Sequence, residues 1–200
     1  MCILLRRLLD SALSEPITLT RAMDRKLKGL DLPSLEILKY PDPRLREVCT
    51  PVKAFDQNLR ALAERMLELM FAAKGVGLAA PQVGVSICLF VSSPTFEPQD
   101  RRIYVNPRIL RSDGEQEGEE GCLSFPGIAC NIKRHNIVAI EALNPDGERF
   151  EETSEGLAAR IFQHELDHLD GRLLVDRMGS VARLSNRRML KELEERFNMV

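Results

Sequence analysis

Residues 163–168 read Gln163-His164-Glu165-Leu166-Asp167-His168, an H-E-x-x-H string. Ser154 stands upstream as an N-cap candidate, and Gly171 follows as a C-cap candidate. The spacing predicts a helix from Ser154 to about Leu169. Residues i and i+4 share one helix face, so both imidazoles can reach one metal ion. Glu165 projects beside them, where it can exchange protons with water held by that ion. The bland reading of the same string is a polar helix end with two solvated histidines. Leu157 and Ile161 lie seven and three residues before His164 and share its side of the helix. An apolar wall there suits an apolar substrate group, and Val76 is a candidate to complete the pocket.

Two histidines leave a catalytic metal site one protein ligand short. The chain continues Leu169-Asp170-Gly171-Arg172-Leu173, without the third His or downstream Glu of the familiar metallopeptidase patterns. The candidates left are His135 and a cysteine, since thiolate is a strong ligand for zinc or ferrous iron. Cys122 is the best cysteine, set between turn signals in Glu119-Glu120-Gly121-Cys122-Leu123-Ser124-Phe125-Pro126. Cys88, in Ile87-Cys88-Leu89, reads as core. Cys2, Cys49 and Cys130 have no partners at ligand spacing, and His135 reads as a solvated loop residue. Glu120 is a candidate for burial beside Cys122, with Arg134 as its partner, because an unpaired buried carboxylate is costly. A third cluster is Gly75-Val76-Gly77-Leu78-Ala79-Ala80-Pro81-Gln82. Its small residues let backbone pass close to a ligand or another element. Gln82, a lone amide among apolar residues, must find partners or donate to a substrate oxygen.

Composition sets outer bounds. The chain has 200 residues, 28 Lys+Arg against 30 Asp+Glu, and a net charge of -2. That balance argues for neither nucleic acid nor an anionic membrane. An odd cysteine count of 5 excludes a complete set of internal disulfides and points to a reducing compartment. No stretch reaches the roughly 18–20 apolar residues of a membrane span. The first ten residues, MCILLRRLLD, make a poor signal-peptide core, and Asp24 and Asp31 argue against an organellar transit peptide. A cytoplasmic, bacterial location is expected over organellar import.

Asp56 precedes apolar residues from Leu59 to Ala73 at helical spacing, with Gly75 past the end. Strands are predicted at Val85–Val91, Arg102–Val105 (ended by Asn106-Pro107) and Ile137–Leu143. The turn Asn144-Pro145-Asp146-Gly147 should return the chain antiparallel over Arg149–Thr153, and a last helix is predicted at about Val181–Phe197. The expected fold is α+β: mixed or antiparallel sheets packed around a central H-E-x-x-H metal-binding helix, with an N-terminal and a C-terminal helix. The expected organisation is an extension over 1–32, a catalytic domain over 33–178 and a C-terminal helix over 179–200.

The three clusters GVGLAAPQ, EGCLS and QHELDH occur in that order. Together they resemble the signature motifs of peptide deformylases, and the resemblance runs from roughly Leu35 to Asp176. It implies Cys122, His164 and His168 as metal ligands and Glu165 as general acid/base toward metal-bound water. It implies Gln82 and the Leu123 backbone N–H as oxyanion donors and Gly77 as a backbone contact for the substrate chain. Val76, Gly77, Glu120, Leu157 and Ile161 make up the expected substrate-binding set. The implied cofactor is one divalent ion, ferrous iron first, with zinc, nickel or cobalt able to occupy the site. The implied reaction removes the formyl group from N-formylmethionyl nascent peptides. A monomer is expected, with weak ribosome contact through Arg183, Arg187, Arg188 and Lys191 of the last helix as a further expectation. The competing readings are an H-E-x-x-H metallopeptidase, which leaves Cys122 unexplained, and an inactive ribosome-associated relative with a structural metal.

Overall fold

A computed structural model describes Leu27 and residues 29–199. Cys2 and most of the expected 1–32 extension lie outside the described residues. The elements run α1 (Gln57–Ala72), β1 (Gly77–Ala79), β2 (Leu89–Ser92), β3 (Arg102–Asp113), β4 (Gln116–Gly121), β5 (Ala129–Arg134), β6 (Ile137–Leu143), β7 (Arg149–Glu155), α2 (Gly156–Leu169), α3 (Leu174–Arg177), α4 (Ser180–Ser185) and α5 (Arg187–Phe197). The fold is α+β. One antiparallel sheet has the order β1-β2-β3-β6-β7, and β4 and β5 form a separate antiparallel hairpin.

Period-2 alternation sends the two faces of the main sheet to different helices. Leu78, Leu89, Val91 and Val105 pack with Leu59, Leu62, Ala63, Met66 and Met70 of α1. Ala79, Phe90, Tyr104, Val138 and Ile140 pack with Ala159, Phe162 and Leu169 of α2. Phe162 meets Tyr104 edge-on at 5.3 Å, and Tyr104 stacks on Phe90 at 4.4 Å. Fully burying each such side chain is worth about 1.5–3 kcal/mol. α2 is therefore clamped on the sheet by its apolar side. A third cluster joins Phe125, Ile128, Cys130 and Ile132 of the hairpin region to Leu173–Val175 and to Leu190 and Leu193 of α5.

Asp56 caps α1 as its position predicts, accepting from the N–H groups of Asn58 and Leu59. Four expectations need correction. β3 does not stop at Asn106-Pro107: it runs on to Asp113 through a register shift against β6. Asn106 takes φ 51 there, and its amide pairs with both main-chain groups of Val52, at 2.7 and 2.8 Å. A bulge tolerates the missing Pro107 N–H. Ser154 does not cap α2; it ends up inside β7, paired with Val138, and Gly156 at φ 58 turns the strand into the helix. The predicted strand Val85–Val91 is regular only from Leu89, with Ile87 making an isolated parallel bridge to Thr50. The last helix is broken at Asn186 into α4 and α5. The β4–β5 hairpin was not anticipated, because Gln116–Gly121 is polar at every position but its glycines.

Candidate active site

The first and third motifs meet across β1. Gly77 opens this terminal strand of the sheet, and α2 packs directly beneath it. A Cβ at Gly77 would lie 2.3 Å from Glu165 Oε1 and 3.1 Å from Ile161 Cγ2, so only glycine lets the strand pass this close. The chain then makes one short turn over Ala80–Val83 that buries Gln82. Gln82 Oε1 accepts from the Ala79 N–H at 2.8 Å, which fixes the amide orientation. Its Nε2 donates to Ser124 Oγ at 3.1 Å and lies 3.6 Å from Cys122 Sγ.

β4 delivers the second motif, placing Cys122 just past its end. Cys122, His164 and His168 each offer an atom that could ligate a metal ion, and these atoms lie within 4.8 Å of one another. His168 Nε2 is 3.3 Å from Cys122 Sγ, and the two imidazole rings meet edge-on at 5.0 Å. One thiolate and two imidazoles suit a soft or borderline divalent ion. Three such residues match the ligand number of a catalytic site rather than a closed structural one. Glu165 Oε2 and His168 Nδ1 are buried without a hydrogen-bond partner among the described residues.

Charges are distributed unevenly around this cluster. Burial pushes the Glu165 carboxyl up to about 7; the Glu120 charge adds to the rise, and His164 opposes it. Burial also lowers the His168 pKa well below the usual imidazole value, with a charged His164 contributing, which favours the neutral ligand form. For His164 burial opposes charge, yet the hydrogen bonds to Cys122 and Glu120 outweigh it and hold the pKa well above the usual value. Glu120 shows the reverse balance: burial would raise its pKa, but His164 and Arg134 hold it at about 2.

Glu120 is thus an anion fully engaged behind the cluster. It accepts from Arg134 Nε at 2.9 Å and Nη2 at 3.0 Å, from Arg160 Nη1 at 2.8 Å, and contacts His164 Nδ1 at 3.1 Å. Arg134 also reaches Asp167 Oδ2 at 2.6 Å, and Arg177 of α3 closes on the same carboxylate. The Arg134 partner expected for Glu120 is present. Arg160, Asp167 and Arg177 were not singled out from the sequence, although Arg160, four residues before His164, occupies its helix face. A carboxylate ligated this way orients the imidazole and raises its basicity toward a metal.

A cleft of about 760 Å³ opens over the cluster. Val76, Gly77, Gln82, Glu120, Leu123, Leu157, Ile161 and Glu165 all line it. Leu157 is 53% exposed, so it forms the rim rather than the core, while Ile161 is buried. His135 stays outside, exposed at the end of β5, its N–H donating to Gln163 Oε1 at 2.9 Å. Cys130 is buried in the third core cluster, and Cys88 is half-buried against the second.

A buried glutamate beside a Cys–His–His group that could hold a metal ion, set at one cleft in an α+β fold, fits a metal-dependent hydrolase. Comparison with known proteins narrows that class. A family profile described as polypeptide deformylase matches residues 34–184. The chain is 46% identical over 149 residues to peptide deformylase of Acidobacterium capsulatum, covering 74% of this chain and 88% of that one. It is 43% identical over 166 residues to peptide deformylase 1B, chloroplastic/mitochondrial, of Arabidopsis thaliana, covering 82% of this chain and 61% of that one. The crystal structure of a peptide deformylase from Legionella pneumophila superimposes with a TM-score of 0.77 at 43% identity, over 80% of this chain and 95% of that one. The Plasmodium falciparum peptide deformylase gives a TM-score of 0.80 at 37% identity, over 82% and 98%. The chain belongs to the polypeptide deformylase family, and its activity is that of a formyl-removing hydrolase.

Proposed function

We propose that this chain hydrolyses the formyl amide of N-formylmethionyl nascent peptides by a mechanism whose parts are the residues around Cys122, His164 and His168. The observation that carries the reading is a buried Glu165, raised to about 7, beside that ligand set and facing the same cleft as Gln82. Cys122 Sγ and the two imidazoles hold one divalent ion, with ferrous iron the physiological choice and zinc, nickel or cobalt able to replace it. When bound, the ion supplies Lewis acidity and makes water nucleophilic near neutral pH. Helix α2 is then the metal-binding helix around which the sheets are arranged.

The rest of the chemistry belongs to side chains and backbone. Glu165 takes a proton from the attacking water and delivers it to the leaving amine nitrogen, a role suited to a carboxyl titrating near the working pH. Gln82 Nε2 and the Leu123 N–H donate to the developing oxyanion, each such donor being worth about 10²–10³ in rate. Gly77, on the terminal strand β1, offers main-chain groups to the substrate chain in the manner of an added strand. Val76, Ile161 and the rim residue Leu157 receive the methionine side chain. Glu120, expected among the substrate contacts, lines the same cleft and also orients His164.

The catalytic unit spans 33–178, and the segment that follows, described to Met199, packs on it as a C-terminal helical segment. The active form is a monomer in the bacterial cytoplasm, and Arg183 of α4 with Arg187, Arg188 and Lys191 of α5 makes weak contact with the ribosome. Among the described residues no helix is long and apolar enough to cross a membrane. The test is release of formate from a formyl-Met peptide by wild type and by Glu165→Gln. Wild-type release abolished by that substitution, with metal retained, supports the reading; equal release by both proteins refutes it.

A further inference from the structure

The cleft is lined by a cation to which the mechanism above gives no role, Lys39. Its Nζ donates to the carbonyl oxygen of Leu123 at 2.7 Å, across 84 residues of sequence. The neighbouring main chain points the same way. The Leu38 N–H donates to the Gln82 carbonyl at 2.8 Å, and the Tyr40 N–H donates to the Ser124 carbonyl at 2.9 Å. Leu38, Lys39 and Tyr40 therefore hold both segments that carry the proposed oxyanion donors.

The Leu123 peptides are pinned from two sides. The peptide unit that carries the Leu123 N–H also carries the Cys122 carbonyl, which accepts from the Phe125 N–H at 2.8 Å. The next unit carries the Leu123 carbonyl, and Lys39 holds that one. With both planes fixed, the Leu123 N–H has a set direction. Any residue could supply the bonds of Leu38 and Tyr40, because they are backbone bonds; the Lys39 bond needs this side chain. A surface lysine is ordinarily a flexible, hydrated point charge. Lys39 is itself exposed, yet its stem ends on a main-chain oxygen beside the site, where partial desolvation lowers the ammonium pKa while Cys122 and Glu36 favour its charge.

We infer that Lys39 is a positioning residue for deformylation, holding the Leu123 peptide so that its N–H and Gln82 Nε2 stay aimed at the developing oxyanion. This rests on the donor roles proposed above. Donors fixed before the reaction need no reorganisation when charge develops, so the gain falls on the transition state and not on substrate binding. Loss of Lys39 should cost about tenfold in kcat, less than the roughly 10²–10³ for losing a donor that touches the oxyanion.

The experiment compares wild type, Lys39→Met, Lys39→Arg and Gln82→Leu, all metal-loaded, on a formyl-Met peptide. Formate release is followed, and affinity for the deformylated product peptide is measured alongside. The expected result is a fall in kcat for Lys39→Met with KM, metal content and product affinity within twofold of wild type, and recovery of most of kcat in Lys39→Arg. Wild-type kcat in Lys39→Met, or a loss matched by product affinity, overturns the inference while leaving the donor roles intact if Gln82→Leu is impaired. Unimpaired Gln82→Leu overturns the donor roles and the inference together.

Discussion

At the residue scale the site turns on two buried carboxylates held in opposite states. Glu165 is raised to about 7 by burial, whereas Glu120 is held at about 2 by its cationic neighbours. The signs give separate predictions. With a folded pKa of about 7 against an ordinary 4.5, Glu165 binds its proton more tightly in the folded protein. Stability of the metal-stripped protein is therefore lost as pH rises through that window, by up to about 3 kcal/mol. Glu165→Gln removes the loss, so denaturant midpoints of the stripped proteins should coincide near pH 4 and favour the variant at pH 8. A wild type as stable as the variant at pH 8 would contradict the burial of that charge. Glu120 behaves oppositely: its contribution is present above about 4.5 and lost as pH falls toward 2. Glu120→Gln leaves Arg134 and Arg160 short of their counter-ion and should cost about 3–5 kcal/mol at pH 7. That penalty should shrink on acidification; a penalty constant from pH 7 to pH 2.5 would mean that the carboxylate is not ionised in the fold.

At the element scale α2 carries the site because both its ends are specified. Gly156 turns out of β7 at φ 58, and Gly171 ends the helix region at φ 72, where a Cβ would meet the Arg46 carbonyl oxygen at 2.5 Å. Gly171→Ala combines a left-handed backbone with that backbone clash and should cost about 2 kcal/mol or more. A thermal midpoint equal to wild type would show that the helix end tolerates a side chain there. Much of α2 was legible in the sequence, since His164, Glu165, His168 and Ile161 follow helical spacing closely. Its start was not: Ser154 is a good cap by type, but cross-strand pairing to Val138 takes it into β7. The β4–β5 hairpin was hidden for a related reason. Its inward-facing residue is the charged Glu120, whose burial depends on Arg134 and Arg160 from distant elements, so β4 lacks the apolar alternation of a half-buried strand. Lys39 gave no local signal, because its partner is a main-chain carbonyl in another segment.

For the whole molecule, the three motifs come together because the main sheet is covered by α1 on one face and α2 on the other, leaving β1 at the edge beside the Cys122, His164 and His168 group. Motif order was visible in the sequence; the convergence depends on topology that no single stretch encodes. The proposed cysteine ligand would add a chemical liability, since ferrous iron in air would promote oxidation of metal and sulfur. Protein purified without oxygen should carry iron and lose activity on aeration, and a zinc-loaded sample should keep its activity. Equal air stability of both forms would argue against iron as the resident ion. The central claim concerns which bond is cut. The most direct measurement counts formate against new amino termini when the metal-loaded chain acts on a formyl-Met peptide. Equal amounts of formate and free methionyl amine, with every residue of the peptide retained, are predicted; shorter peptide fragments appearing without formate would contradict the account.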